Sequence, residues 1–186
     1  MPTTTAPTLP VATPMGFGQR EFRDALGMFA TGVTVVTTLN PAGQPVGLTA
    51  SSFNSVSLSP PLVLWSLAHG ASTMAAFRAC SHYAIHVLAA DQLALANQFA
   101  QRGIDRFAGV EHRAGHSGAP LLADALAVFE CRNRSQHDEG DHLIFVGEVV
   151  HCHPLRSAAP LLYHRGHLLP GQLAPLPEPA VAHPAH

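Results

Sequence analysis

The densest set of residues that could do chemistry is Gly47-Leu48-Thr49-Ala50-Ser51-Ser52-Phe53-Asn54-Ser55-Val56-Ser57-Leu58-Ser59-Pro60-Pro61, where six hydroxyl side chains punctuate an apolar run. Buried hydroxyls need partners. Ser and Thr with adjacent backbone N–H groups supply short, neutral donors and acceptors, a rim suited to a flat heterocycle with carbonyl and ring-nitrogen edges. On composition alone the stronger reading is a serine-rich strand and turn satisfied by its own backbone. A phosphate on such a ligand would fall to Ser72 and Thr73, which follow Gly70-Ala71 and open a short helix, because helix starts present free N–H groups to anions. The same pair serves equally as ordinary helix caps. Arg102 and Arg106 could add charge.

A second constellation is His137-Asp138-Glu139-Gly140-Asp141-His142, between two strand-like segments. His142 at its exit could orient a carboxamide or stabilise charge beside a reacting ring, since both forms of imidazole are accessible near neutrality. As residues alone, the segment reads first as a solvated hairpin loop whose aspartate caps the turn. With His151-Cys152-His153 downstream, and 13 histidines in the chain, it also raises a metal question. No His-Glu-x-x-His, no Cys-x-x-Cys and no ligand pair at helical spacing is present, so no metal site is expected. His183 and His186 fall in the Pro-rich end and are given no role. Cys80, Cys131 and Cys152 are odd in number and widely spaced, which fits reduced thiols packed in a core rather than a disulfide framework.

The elements that must position these groups are mostly strands. Val33 to Leu39 is β-branched almost throughout, and Asn40-Pro41-Ala42-Gly43 turns it into Gln44 to Ala50, a hairpin pattern. Further strands are expected at Leu62 to Leu67, Tyr83 to Leu88, Ala125 to Arg134 and Leu143 to His153. Helices are expected at Gln19 to Phe29, at Thr73 to Ala79, and at Asp91 to Gln101 with Asp91 as cap. Strands without regular helix alternation, and no Gly-x-Gly-x-x-Gly, point to a mainly β barrel with peripheral helices rather than a parallel nucleotide-binding sheet. Residues 1–17 read as a flexible arm, 18–169 as one domain, and 170–186 as a Pro-rich extended tail.

Composition narrows the function classes. At 186 residues one core suffices. A formal net charge of −2 with no Arg cluster removes the electrostatic attraction for nucleic acid or an anionic membrane. The start has neither a basic block nor an apolar one, so a cytoplasmic protein is expected. No charged residue occurs from Ala25 to Phe77, yet Pro and Gly turns break this run before it could span a bilayer, so it should be buried in protein. With only 12% charged residues, self-association would relieve a surface poor in charge.

Phe22-Arg23-Asp24-Ala25-Leu26-Gly27-Met28-Phe29-Ala30-Thr31-Gly32-Val33-Thr34-Val35-Val36-Thr37 resembles the opening of the flavin reductase-like family. Thr49-Ala50-Ser51-Ser52-Phe53, Ser55-Val56-Ser57-Leu58 and Pro60-Pro61-Leu62-Val63-Leu64 follow, then Phe99-Ala100, Arg106-Phe107, Gly140-Asp141-His142, Gly147-Glu148-Val149 and Leu161-Leu162-Tyr163-His164-Arg165-Gly166. These pieces are colinear over about residues 18 to 169. The resemblance implies a split β-barrel of the FMN-binding type, a homodimer with flavin sites near the subunit interface, FMN or FAD as flavin, NADH or NADPH as hydride donor, and transient hand-over of reduced flavin to an oxygenase component. Carried over, Thr49, Ala50, Ser51 and Ser52 would run beside the isoalloxazine. Ser66, Ser72 and Thr73 would approach the ribityl phosphate, and Phe99, Ala100 and Arg106 would close the far side. His142 would orient the nicotinamide, with Tyr163 and His164 at the same face.

Two other readings use the same residues. An oxidase or sensor on this barrel would hold FMN tightly, and flavin surviving gel filtration would mark it. A haem- or metal-binding module built on the histidines would show a Soret band or none of the flavin peaks.

Overall fold

The computed structural model describes residues 16–154 and 156–171. The hairpin forms as expected: strands β2 (Thr34–Leu39) and β3 (Pro45–Ala50) pair antiparallel from Thr34–Ala50 to Leu39–Pro45. Asn40 makes the turn, its Oδ1 accepting from the N–H of Ala42 and of Gln44, while Gly43 takes a φ of 75° that suits glycine. Next come β4 (Asn54–Leu58), β5 (Pro61–Ala68), β6 (His82–Val87), β9 (Ala127–Glu139) and β10 (His142–Pro154). With β2 and β3 these make a seven-stranded antiparallel sheet in the order β3-β2-β6-β9-β10-β5-β4.

The sheet curls without closing. The two outermost strands are joined directly by residues 51–53, and Ser52 Oγ accepts from Ser66 N–H at 2.9 Å while donating to the Ser66 carbonyl at 3.0 Å. That clasp draws the end of β3 toward β5, giving the open barrel that the strand pattern suggests. A smaller sheet, β1 (Thr31–Gly32), β11 (Leu161–His164) and β12 (His167–Pro170), is tied to the end of β6 by Leu161 N–H donating to the Leu88 carbonyl, and β7 (His112–Ala114) and β8 (Pro120–Leu122) form a separate hairpin.

The curl encloses an aromatic core. Trp65 stacks on Phe145 at 4.6 Å between centroids and meets Phe77 and Tyr83 edge-on at 5.0 and 5.7 Å, all four fully buried. Gly147 is required beside it, because a Cβ there would lie 2.4 Å from the Tyr83 hydroxyl.

Helices α1 (Gln19–Leu26), α2 (Met74–Ala79) and α3 (Leu93–Ala100) are peripheral. The expected cap at Asp91 is not made. A 3-10 turn (Ala90–Gln92) precedes α3, Gln92 Oε1 accepts from Ala89 N–H, and Asp91 instead pairs with Arg156. The ion pair holds the Asp91 carboxyl below its ordinary pKa. Burial of the charge-free run is incomplete: Leu26, Met28, Phe29, Val56 and Leu58 are exposed. Core packing of the thiols holds for Cys131, while Cys80 is half-buried and Cys152 exposed. β12 continues through Pro170, and Gly171 N–H reaches the Pro160 carbonyl, so the ordered domain passes the expected boundary. Most of the expected arm and tail lies outside the described residues. No described helix is long and apolar enough to cross a membrane.

Candidate active site

β3 supplies the floor of the site. Period-two alternation turns Gly47 and Thr49 toward α3. Thr49 Oγ1 donates to the Ala96 carbonyl at 2.7 Å, and Gly47 lies so close to α3 that a Cβ would meet Phe99 at 2.6 Å. Phe99 is therefore fully buried and supports the wall, correcting the expectation that it touches a ligand.

Above this floor runs a trough. A cleft of about 530 Å³ is lined by Val33, Thr49, Ser51, Asn97, Ala100, Tyr163 and His167 among others. A second, of about 540 Å³, shares Ser51, Tyr163 and Gly166 with it and continues past Thr31, Leu26 and Phe29 to the charged side chains of Arg23, Asp24 and Arg165. Tyr163 is presented by β11, whose hairpin to β12 turns on Arg165 and Gly166, both at positive φ. Arg165 N–H donates to the Gly27 carbonyl, fixing that turn against the end of α1. Thr31 Oγ1 is buried in this wall without a hydrogen-bond partner among the described residues. The walls near Thr49, Ser51 and Asn97 are neutral, and an uncharged, flat, hydrogen-bonding ligand suits them.

At the other end of β3 lies a hollow of about 180 Å³ lined by Gly47, Ser72, Thr73, Gly103 and Arg106 among others. Arg106 is anchored there through Nε to the Gln101 carbonyl at 2.7 Å and Nη1 to the Gly47 carbonyl at 2.8 Å. Partial burial and the neighbouring Arg102 lower its pKa, but a guanidinium stays charged. Asp105 also lines the hollow, its Oδ1 accepting from Phe107 N–H at 3.0 Å, and no ion pair joins it to Arg106 among the described residues. A cation beside two hydroxyls suits a phosphate. Gly47 and Thr49 are about 7 Å apart along the strand, so trough and hollow lie within reach of one extended ligand.

The structure thus brings Thr49, Ser51, Ala100 and Tyr163 to the trough and Ser72, Thr73 and Arg106 to the hollow. Five expected residues line neither the trough nor the hollow. Ala50 packs into the core and its carbonyl accepts from Thr34 Oγ1; Ser52 and Ser66 are spent on the clasp; Phe99 is buried. His164 lines neither cavity, while its cross-strand partner His167 does.

His142 also stands apart. It begins β10 opposite Ala68, half-exposed, with Nδ1 2.6 Å from Asp141 Oδ1. That contact lowers the Asp141 pKa. The Asp141 carbonyl accepts from His69 N–H, placing the hairpin tip beside the turn that leads to Ser72.

Asn97 and His167 were not singled out from the sequence. Asn97 is the polar exception in Leu93-Ala94-Leu95-Ala96-Asn97, a usable signal; His167 follows a two-residue turn that Arg165-Gly166 encodes.

An open antiparallel barrel carries, along β3, a cleft with uncharged walls at Thr49, Ser51 and Asn97 and a hollow that holds Arg106, a set suited to a planar, phosphate-bearing ligand. The particular assignment comes from likeness to known proteins: residues 26–172 match the model of the flavin reductase like domain, and the chain belongs to that family. It is 47% identical over 156 residues to an FMN reductase (NADH) of Agrobacterium fabrum, covering 84% of this chain and 88% of that protein. It is 39% identical over 147 residues to the reductase subunit of a flavin-dependent monooxygenase of Rhodococcus jostii, covering 79% of this chain and 75% of that one. Among solved structures, the NADH:FAD oxidoreductase of Streptomyces globisporus, in complex with NAD and FAD fragments, superposes with a TM-score of 0.79 at 37% identity, covering 90% of this chain and 99% of that one.

Proposed function

We propose that the chain is the reductase component of a two-component oxygenase, taking hydride from NADH to a flavin and releasing the reduced flavin to its partner. The observation that carries the site assignment is the pairing of the uncharged cleft at Thr49, Ser51 and Asn97 with the Arg106 hollow along one strand. When bound, the flavin supplies the hydride acceptor at N5, so the protein needs no nucleophile.

The chain's own residues then position. Thr49, Ser51 and Asn97 meet the polar edge of the ring, Ala100 and Tyr163 cover its faces, and Ser72, Thr73 and Arg106 take the phosphate. Gly47 keeps the floor flat between them. His142, oriented by Asp141, meets the nicotinamide at the hairpin tip. Alignment to within about 3 to 3.5 Å of the reacting atoms is the catalysis required.

A homodimer completes this reading. Phe22, Leu26, Met28 and Phe29 are exposed on and after α1, next to the trough, and a second copy of the chain would cover them. Use of NADH and the free thiols suit a cytoplasmic enzyme.

The test is anaerobic mixing of the protein with FMN or FAD and NADH or NADPH, following loss of flavin absorbance. Protein-dependent bleaching is expected with NADH. His142→Ala should raise KM for NADH more than KM for flavin; the reverse pattern removes His142 from the nicotinamide site.

A further inference from the structure

Glu130 is the least expected charge in the molecule. It sits in β9, fully buried, with no Arg within ion-pair distance among the described residues, and the chain has no lysine. Its Oε2 is satisfied by the His116 N–H at 2.8 Å. Its Oε1 has no hydrogen-bond partner among the described residues. Two imidazole nitrogens face that oxygen: His116 Nδ1 at 3.6 Å and His153 Nε2 at 3.5 Å.

These separations are too long for N–H···O bonds. They match the spacing of ligands around a small cation, because atoms each about 2.0–2.1 Å from a tetrahedral zinc ion lie about 3.3 Å apart. All three donor atoms lie within 4.8 Å of one another.

Three features of the chain assemble the cluster. A register shift between Val149 and His151 brings His151 opposite Glu130 and His153 two residues along, with their rings nearly parallel at 7°. His151 stacks on His116 at 3.8 Å between centroids and so fixes that ring. Gly115 lets the β7–β8 loop approach, since a Cβ there would lie 2.4 Å from Glu130 Oε2.

We propose that His116, Glu130 and His153 form a binding site for a divalent transition-metal ion, zinc by its ligand set, which clips the β7–β8 loop onto β9 and β10. Two imidazoles and one carboxylate leave a fourth position for water beside His116, whose side chain is 63% exposed. None of the three lines the trough or the hollow, so the site is separate from flavin reduction. No ligand motif marks this site in the sequence, because the three side chains come together from two strands and a loop.

The experiment uses tag-free full chain, stripped with EDTA and titrated with zinc against a chromophoric chelator, then with cobalt. One ion per chain is expected, with the strong visible bands of four-coordinate cobalt. His116→Ala and His153→Ala should each weaken zinc binding by about 100-fold, at least the loss seen when a supporting residue is removed. His137→Ala, on an exposed strand face, should bind like the parent, and flavin reduction should be unchanged in His116→Ala. A parent chain that binds no zinc, or affinities equal in His116→Ala and His137→Ala, would overturn the site. Circular dichroism of His116→Ala, a surface-loop variant, separates lost ligation from lost fold.

Discussion

Trp65 and Phe29 are both large aromatic side chains of the same charge-free stretch, yet Trp65 is fully buried and Phe29 is 74% exposed. Around Trp65 the chain finishes its own packing, with Phe77, Tyr83 and Phe145 closing every side. Around Phe29 it does not: Leu26 and Phe29 rim a cleft whose other wall is Tyr163 and Arg165, and Met28 between them is exposed. The absence of charge has one origin in each place, exclusion of water, but in the second place the excluding surface must come from elsewhere. The end around Trp65 is closed by its own chain, while the end around Phe29 leaves apolar side chains exposed beside the cleft.

The sharpest way to break this contrast is at the finished end. Trp65→Ala should cost about 3–5 kcal/mol, the usual loss for a large buried aromatic, read as a lower urea midpoint. A loss under about 1 kcal/mol would mean the core is not closed as described.

Acid should act next, and also through the finished end. His86 is fully buried, accepting from Leu122 N–H at Nε2, which leaves Nδ1 to donate to the Val35 carbonyl. Burial pushes its pKa down to about 4 from an ordinary 6.5. The unfolded chain therefore binds the extra proton first, and stability rises with pH between about 4 and 6.5. Lowering the pH through that window should remove about 3 kcal/mol, flattening below it, in denaturant titrations. His86→Gln should abolish much of that dependence.

The smallest effect on folding belongs to the open end. Phe29→Ser should change chain stability by less than about 0.5 kcal/mol, as exposed sites do, while shifting sedimentation toward monomer. A large stability loss with unchanged mass would mean that Phe29 is packed within its own chain.

The two ends also differ in how far they are legible from residue order. Strands dominated by β-branched residues, the Asn40 turn and the outward run of hydroxyls are local patterns, and the structure follows them to within a few residues. What local pattern does not carry is the choice of partner. Asp91 looks like a helix cap, but Arg156, 65 positions away, takes its carboxylate. Ser52 looks like a ligand donor, but the curl of the sheet brings it to Ser66 and uses both its donor and acceptor. Phe99 sits beside Ala100 in sequence, yet helical geometry turns one into the core and the other into the trough. The Glu130 cluster depends on a strand irregularity near Val150 that nothing in the residue types announces.

In the proposed reading Arg106 takes the flavin phosphate while the uncharged wall at Thr49, Ser51 and Asn97 takes the ring. Steady-state reduction of FMN and of riboflavin by NADH, compared between the parent and Arg106→Ala, tests this most directly. Losing a charged hydrogen bond worth about 1.5–3 kcal/mol should raise KM for FMN about 10- to 100-fold and leave KM for riboflavin, which has no phosphate, nearly unchanged. Equal losses for both flavins would mean that Arg106 only braces Gly47 and Gln101, and would contradict the assignment.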